Sequence, residues 1–302
     1  MTANDYPIVL AHGIARFDFL VRRFAEELGR IGLSFDPAAN ELNYFRGIAR
    51  HLRNHGFDVY QSTVSFAAGV ERRAADLKTE VERALALRPG QPKVHIIAHS
   101  MGGLDARRMI VKLGMADRVA SLTTIGTPHR GTSFADWGIA NDGDALIAGL
   151  GGIIDISGFA DLTTDACRRF NEEAEAAEAA NEVFYQTFAA SEEETKIFPP
   201  LRGSWRIIFP REGDNDGLVP RTSQAWTDTL AGADGRRKTV RQRGFPVSAD
   251  HLNEVGWWDV GQFGFDDFFR LDFLNAVAAY ETAIRNVYLE IARELIELPP
   301  EG

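Results

Sequence analysis

Short apolar runs alternate along this chain with longer stretches in which apolar residues recur every three or four positions. Tyr6–Ala11 is an apolar run that ends at His12-Gly13, and it predicts a buried strand. Asn43–His55 has helical spacing and stops at Gly56, a residue suited to a helix end. Phe57–Ser62 predicts a strand, with Thr63–Phe66 as its exit. From Glu71 to Leu87, the residues Leu77, Val81, Ala84 and Leu85 fall on one face and charged residues on the other, which predicts an amphipathic helix. Lys93–Ala98 reads as a short buried strand, Leu104–Leu113 as a helix and Val119–Ile125 as another strand. Strands alternating with helices of this length predict an α/β fold, a mostly parallel sheet covered on both faces.

The middle of the chain has a different texture. Phe134 to Phe159 mixes small and apolar residues with a cluster of glycines, Gly149, Gly151 and Gly152. Glu172–Glu182 is rich in Ala and Glu and reads as an exposed helix, and Trp205–Phe209 reads as a strand. Near the C-terminus Phe273, Val277, Tyr280, Ile284, Val287, Tyr288, Ile291 and Leu295 keep helical spacing, which predicts one long amphipathic helix over about 270–297. That helix is read as packing onto the same domain, with a dimer contact as the alternative. There is no internal repeat, and 1–302 is read as a single domain.

Composition narrows the function classes. The 302 residues carry 33 Lys and Arg against 43 Asp and Glu, a net charge of −10. That balance argues against a general affinity for nucleic acid or anionic lipid. A single cysteine, Cys167, excludes an intramolecular disulfide and any Cys-based zinc cluster. The N-terminal residues lack a basic segment followed by a cleavable apolar stretch, so no signal peptide is read. The most apolar stretch, Ala145–Ile154, is about half the length of a membrane span and ends at Asp155. The expectation is a soluble, cytoplasmic protein.

The chemistry centres on Ile97-Ala98-His99-Ser100-Met101-Gly102-Gly103, placed between a predicted strand and a predicted helix. A nucleophile elbow requires that context. Its turn is too tight for bulky residues two before and two after the serine, and Ala98 and Gly102 satisfy that limit. Such a turn exposes the Ser100 hydroxyl and puts the amide of Met101 at a helix N-terminus, where it can bind a developing oxyanion. The bland alternative is a strand-to-helix turn with a serine cap.

A nucleophilic serine needs a base. Seven histidines are present, and in this architecture the order along the chain is serine, acid, histidine. Only His129 and His251 follow Ser100, and His129 comes too soon for an acid-bearing strand to precede it. His251, in Ser248-Ala249-Asp250-His251-Leu252-Asn253, remains. The acid is expected after the predicted strand Trp205–Phe209, where Glu212, Asp214 and Asp216 compete and the residues alone do not decide. The second oxyanion donor is expected from the turn His12-Gly13-Ile14, as the amide of Ile14. His12 itself is read as a structural hydrogen-bonding residue.

Taken together, these residues resemble the bacterial true lipases of the Pseudomonas and Burkholderia type. The resemblance rests on Tyr6–Ile14, the Ser100 elbow, Thr124-Ile-Gly-Thr-Pro-His129-Arg130-Gly131 and its continuation to Asp136, Asn215-Asp216-Gly-Leu-Val-Pro220, and His251-Leu-Asn-Glu-Val255. These motifs run in the family's order from about Tyr6 to Val255. The resemblance implies an α/β-hydrolase fold with a mostly parallel central sheet, and hydrolysis of carboxylic esters. It favours Asp216 as the acid and supports Ile14 and Met101 as oxyanion amides. It also places a mobile lid at Phe134–Phe159, within a lid or cap insertion over about 134–200, where Leu146, Ile147, Leu150, Ile153 and Ile154 would form an apolar face that touches a lipid surface transiently; ordinary cap packing is the alternative.

Three departures from the family bear on these expectations. The secreted members have a signal peptide and often one disulfide, and this chain shows neither. The family binds a structural calcium with an aspartate two residues after the histidine and a later glutamine; here those positions are Asn253 and Trp257, so no calcium is expected. Met101 replaces a common glutamine, but its contribution is a backbone amide.

The sequence therefore predicts a Ser100–His251–Asp216 ester hydrolase with no cofactor, acting on medium-to-long-chain acylglycerol esters. A short-chain carboxylesterase or thioesterase is the alternative. A further alternative is a hydrolase-fold protein that binds a ligand without catalysis. The oligomeric state is left open.

Overall fold

The computed structural model describes residues 5–14, 44–65, 68–141, 156–259 and 272–298. Among the described residues, six strands form one sheet in the order β2-β1-β3-β4-β5-β8, every neighbouring pair parallel. They are β1 (Ile8–Ala11), β2 (Val59–Gln61), β3 (Val94–His99), β4 (Val119–Ile125), β5 (Phe184–Ala189) and β8 (Arg241–Gly244). A two-stranded antiparallel ribbon, β6 (Thr229–Ala231) with β7 (Arg237–Thr239), lies apart from it.

The sheet divides the core into two layers because successive side chains point to opposite faces. Val9, Ala11, Val94, Ile96 and Ala98 join one cluster with Leu77 and Val81 of helix α2 (Val70–Ala86) and Met109 and Ile110 of helix α3 (Met101–Lys112). Ile8, Leu10 and Ile97 join the other, with Ile48 and Leu52 of helix α1 (Ile48–Asn54). The α1–α3 helices and β1–β4 thus stand within a few residues of where periodicity places them.

Further along, helix α4 spans Ser133–Ala140, helix α5 Thr164–Ala180, helix α6 Arg202–Glu212 and the short helix α7 Arg221–Gln224. The C-terminal helix α8 (Asp272–Ile296) buries Phe273, Val277, Ile284, Val287, Tyr288, Ile291 and Leu295 in the same core as α1, as its spacing predicts. It packs on its own chain. No helix of the described residues is long and apolar enough to cross a membrane.

Three expectations are corrected. Trp205–Phe209 is the middle of α6, not a strand. Leu201 and Ile208 are fully buried with Trp205 partly so, a one-turn and two-turn spacing that five residues taken alone do not reveal. The tandem Pro199-Pro200 precedes the helix, where a missing N–H costs nothing. Second, the span 134–200 is not all insertion, because it contains β5, which sits between β4 and β8 in the main sheet. Gln186 and Thr187 interrupt that strand's apolar run. Third, α5 is not simply an exposed helix: Cys167, Ala174, Glu178 and Ala179 are buried. The expected apolar lid face, Leu146 to Ile154, lies outside the described residues.

Candidate active site

Ser100 sits where β3 becomes α3. Its backbone takes φ 56° and ψ −136°, a conformation that costs a non-glycine residue strain. Its N–H donates to Ile125 O at 2.9 Å and its carbonyl accepts from Thr127 Oγ1 at 2.8 Å, so β4 and the following turn hold it there. Gly102 is required on steric grounds: a Cβ there would come within 2.5 Å of the Ala11 carbonyl oxygen. Met101, fully buried, begins the helix, and its amide has no acceptor within the helix.

His251 stands between Ser100 and Asp216. Its Nε2 is 2.8 Å from Ser100 Oγ and its Nδ1 is 2.8 Å from Asp216 Oδ2. Of the three competing acids, Asp216 is the one that meets the histidine. The Glu212 carboxylate instead accepts from Ser133 N, and the Asp214 carbonyl accepts from Arg221 N. Asp216, expected after a strand, instead follows α6, in a turn closed by an Asn215–Pro220 bridge. Its Oδ1 accepts from Leu218 N and Val219 N at 2.8 and 2.7 Å, and its Oδ2 accepts from Gln224 Nε2 at 3.0 Å. Gln224 also accepts from Ala190 N, which ties the turn to the end of β5. A carboxylate with this many donors is held in one orientation.

The histidine loop is built the same way. His251 N donates to Asp216 O at 2.9 Å. Asp250 accepts from Leu252 N, Asn253 N and Phe198 N, while burial pushes its carboxyl up to about 7. Asn253 accepts from Asp250 N and donates to Trp257 O at 2.7 Å. Those bonds bear on calcium. Asn253 spends its amide on the loop, and Trp257 offers no side-chain oxygen and donates its indole N–H to Tyr44 O. The two positions do not fit a hard cation that needs oxygen ligands. Among the described residues, His99, His251 and Glu254 form a group whose ligand atoms all lie within 4.8 Å of one another. The four histidine nitrogens and Glu254 Oε2 are engaged with each other or with Tyr44, Asp216 and Ser100.

The turn after β1 carries Ile14, buried and lining the same pocket as Ser100 and His251. His12 sits beneath it. Its Nδ1 donates to Gly13 O at 2.8 Å and its Nε2 accepts from Val64 N at 3.3 Å. Burial, aided by the nearby Arg73 charge, lowers its pKa to about 4, so the ring is neutral. Arg73, from α2, donates to His12 O at 2.7 Å and pairs with Asp105 of α3 at 2.8 Å; all three residues are buried. This pair clips the turn to the helix that begins at Ser100, and burial pushes Asp105 up to about 7 against the pull of Arg73. Neither Arg73 nor Asp105 stands out in the sequence, since both fall on faces that periodicity assigns to helix packing. His129, set aside above as a base, is fully buried between Thr124 Oγ1 and Arg107.

The pocket in front of Ser100 is lined by Ile14, Phe134, Phe159, Leu162, Leu218, Val219 and Leu252, with Tyr44, Pro128 and Thr132 beside the reactive groups. Among the described residues that line it, only Ser100, His251, Tyr44 and Thr132 have polar side chains. Such a cavity accepts an acyl or alkyl group and rejects a charged one.

The chain is similar in sequence and fold to several known proteins. The PGAP1-like alpha/beta domain family matches residues 3–141. A triacylglycerol lipase of Vibrio cholerae is 31% identical over 256 residues, covering 74% of this chain and 74% of that protein. Triacylglycerol lipase 2 of Saccharomyces cerevisiae is 28% identical over 320 residues, covering 96% and 90%. The crystal structure of a metagenomic carboxyl esterase superposes with a TM-score of 0.64 at 19% identity, covering 98% of this chain and 77% of that one, and shares the fold.

Proposed function

Since this chain belongs to the triacylglycerol lipase family of α/β-hydrolases and is a lipase-type serine ester hydrolase, we propose that Ser100, His251 and Asp216 carry its reaction and that its substrates are medium-to-long-chain acyl esters. The observation that carries the reading is His251, which is within hydrogen-bond reach of both Ser100 Oγ and Asp216 Oδ2.

His251 Nε2 takes the Ser100 proton as Oγ attacks the ester carbonyl. Asp216 accepts from Nδ1–H, holds that tautomer and stabilises the imidazolium. The amides of Ile14 and Met101 receive the oxyanion of the tetrahedral intermediate. His251 then protonates the leaving alcohol, and water repeats the sequence on the acyl-enzyme to release the acid and restore Ser100. The substrate class is supported by the apolar lining of the pocket, which matches an alkyl chain and offers no counter-charge to a polar acyl group.

The test is hydrolysis of p-nitrophenyl esters from acetyl to palmitoyl, together with covalent labelling by a fluorophosphonate. Activity is expected to favour the longer chains. Ser100→Ala is expected to lose labelling and ~10⁵-fold or more in kcat. Activity confined to acetyl and butyryl esters makes the protein a short-chain esterase. An unlabelled wild type without activity on any ester overturns the triad assignment.

A further inference from the structure

Behind the triad lies a second set of buried polar groups that the mechanism above does not use. The Tyr44 hydroxyl is 2.7 Å from His99 Nδ1, and His99 Nε2 is 2.9 Å from Glu254 Oε2. His99 and Glu254 are fully buried, and Tyr44 nearly so. The His99 and His251 rings lie 4.5 Å apart, so this set runs alongside the triad. At its outer end the Tyr44 hydroxyl lies against the backbone of Gly13, the residue before Ile14, where an added Cβ would come within 2.7 Å of it, and the Gly13 amide is its partner there. At its inner end Glu254 faces Asp216. Gly126 leaves the space Glu254 occupies: it has φ 59°, and any Cβ there would collide with Glu254 Oε2.

The direction of each hydrogen bond follows from its partners. Gly13 N–H can only donate, so the Tyr44 oxygen accepts from it and the Tyr44 O–H is left to donate to His99 Nδ1. His99 then carries its proton on Nε2 and donates it to Glu254 Oε2. Glu254 Oε1 has no other partner among the described residues. As a carboxylic acid, it donates that remaining proton to Asp216. Burial favours the neutral acid at Glu254, and the charges of Asp216 and Asp250, which face it, act in the same sense. Burial also keeps His99 and Tyr44 neutral. Arg73 is the cation near Tyr44, and Tyr288, whose hydroxyl donates to the Glu254 carbonyl, closes the set.

We propose that Tyr44, His99 and Glu254 are positioning residues forming a continuous hydrogen-bonded chain from Gly13 in the oxyanion turn to Asp216 in the triad. The chain fixes the Ile14 amide relative to the acid that orients His251, so that the donor for the oxyanion and the base stay in register. It rests on the triad reading above. Tyr44 also lines the pocket, but the hydrogen bonds of the chain reach no reacting atom, and their effect falls on the transition state, where the oxyanion exists, rather than on substrate binding.

The test compares Tyr44→Phe, Glu254→Ala and Glu254→Gln with wild type, in kcat, KM and melting temperature, after labelling wild-type Ser100 with a fluorophosphonate. Tyr44→Phe keeps the ring and removes the link to Gly13. Its kcat is expected to fall roughly tenfold, less than the loss of an oxyanion donor outright, with KM unchanged. Glu254→Ala is expected to lose more. Glu254→Gln can accept from His99 and donate to Asp216 as the neutral acid does, and is expected to recover most of what alanine loses. Folded Tyr44→Phe with wild-type kcat, or a glutamine variant as slow as the alanine one, overturns the chain and leaves the triad standing. A wild type that neither labels nor hydrolyses esters overturns both.

Discussion

His251 Nδ1 lies 2.8 Å from Asp216 Oδ2, and the Asp216 carboxylate is held there by Leu218 N, Val219 N and Gln224 Nε2. The acid therefore cannot rotate to present a different face to the imidazole. In Asp216→Asn an amide N–H can replace the accepting oxygen opposite Nδ1, which selects the wrong histidine tautomer. The expected result is a loss of roughly 10³–10⁴ in kcat with KM little changed. Steady-state kinetics on the best p-nitrophenyl ester check it, and an asparagine variant within tenfold of wild type rejects Asp216 as the orienting acid.

On the proposed reading, chain-length preference is set by the apolar residues that line the pocket. Leu162 and Leu218 line it, along with Phe159, which packs edge-on against Phe134. Leu162 is buried, so a larger side chain there must project into the pocket rather than into solvent. Leu162→Trp is expected to move the optimum toward shorter acyl chains, by at least tenfold in the ratio of palmitoyl to butyryl kcat/KM, about 1.4 kcal/mol of discrimination. An unchanged ratio in a folded variant would place the acyl group elsewhere.

Much of this arrangement was legible before any coordinates. Ile8–Ala11 and Val94–His99 are central strands of a parallel sheet, buried on both faces, and such strands read as plain apolar runs. The elbow is equally local, because its steric demands fall on Ala98 and Gly102. What escaped is non-local or edge-placed. Arg241–Gly244 is the edge strand β8 and is nearly all polar. Trp205–Phe209 fits either period over five residues, and only the packing of Leu201 and Ile208 decides for a helix. Glu254 and His99 are 155 positions apart, and nothing local marks them as partners. The available signal was a lone glutamate in an otherwise apolar stretch, Val255-Gly-Trp-Trp258, just after the histidine.

Chelation should leave this protein untouched. The loop that follows His251 is held by protein bonds: Asn253 accepts from Asp250 N and donates to Trp257 O, and the Trp257 indole donates to Tyr44 O. A divalent cation would have to displace these bonds and would gain no charged ligand from either residue. EDTA is expected to change neither the melting temperature nor kcat. A drop in either that added calcium restores would show that a cation site exists elsewhere in the chain.

His12 makes the oxyanion turn sensitive to acid. Its Nε2 must be unprotonated to accept from Val64 N, and burial beside Arg73 lowers its pKa from the usual 6.5 to about 4. Between those values the unfolded chain binds a proton that the folded protein refuses, so stability rises with pH across that window. The contribution is complete above pH 6.5, and it is lost as pH falls toward 4. At one pKa unit per 1.36 kcal/mol, it is on the order of 3 kcal/mol. Asp250, raised from 3.8 to about 7 by burial, acts in the opposite sense: its contribution is present below pH 3.8 and gone above about 7. The two therefore partly cancel in wild type, and His12 is isolated by comparison with His12→Gln, which can accept and donate but does not titrate. Urea unfolding of both proteins at pH 7 and pH 4.5 should show wild type losing more stability than the variant over that interval. Equal losses would mean that His12 is already charged in the folded protein, and that the Val64 contact does not depend on its neutral form.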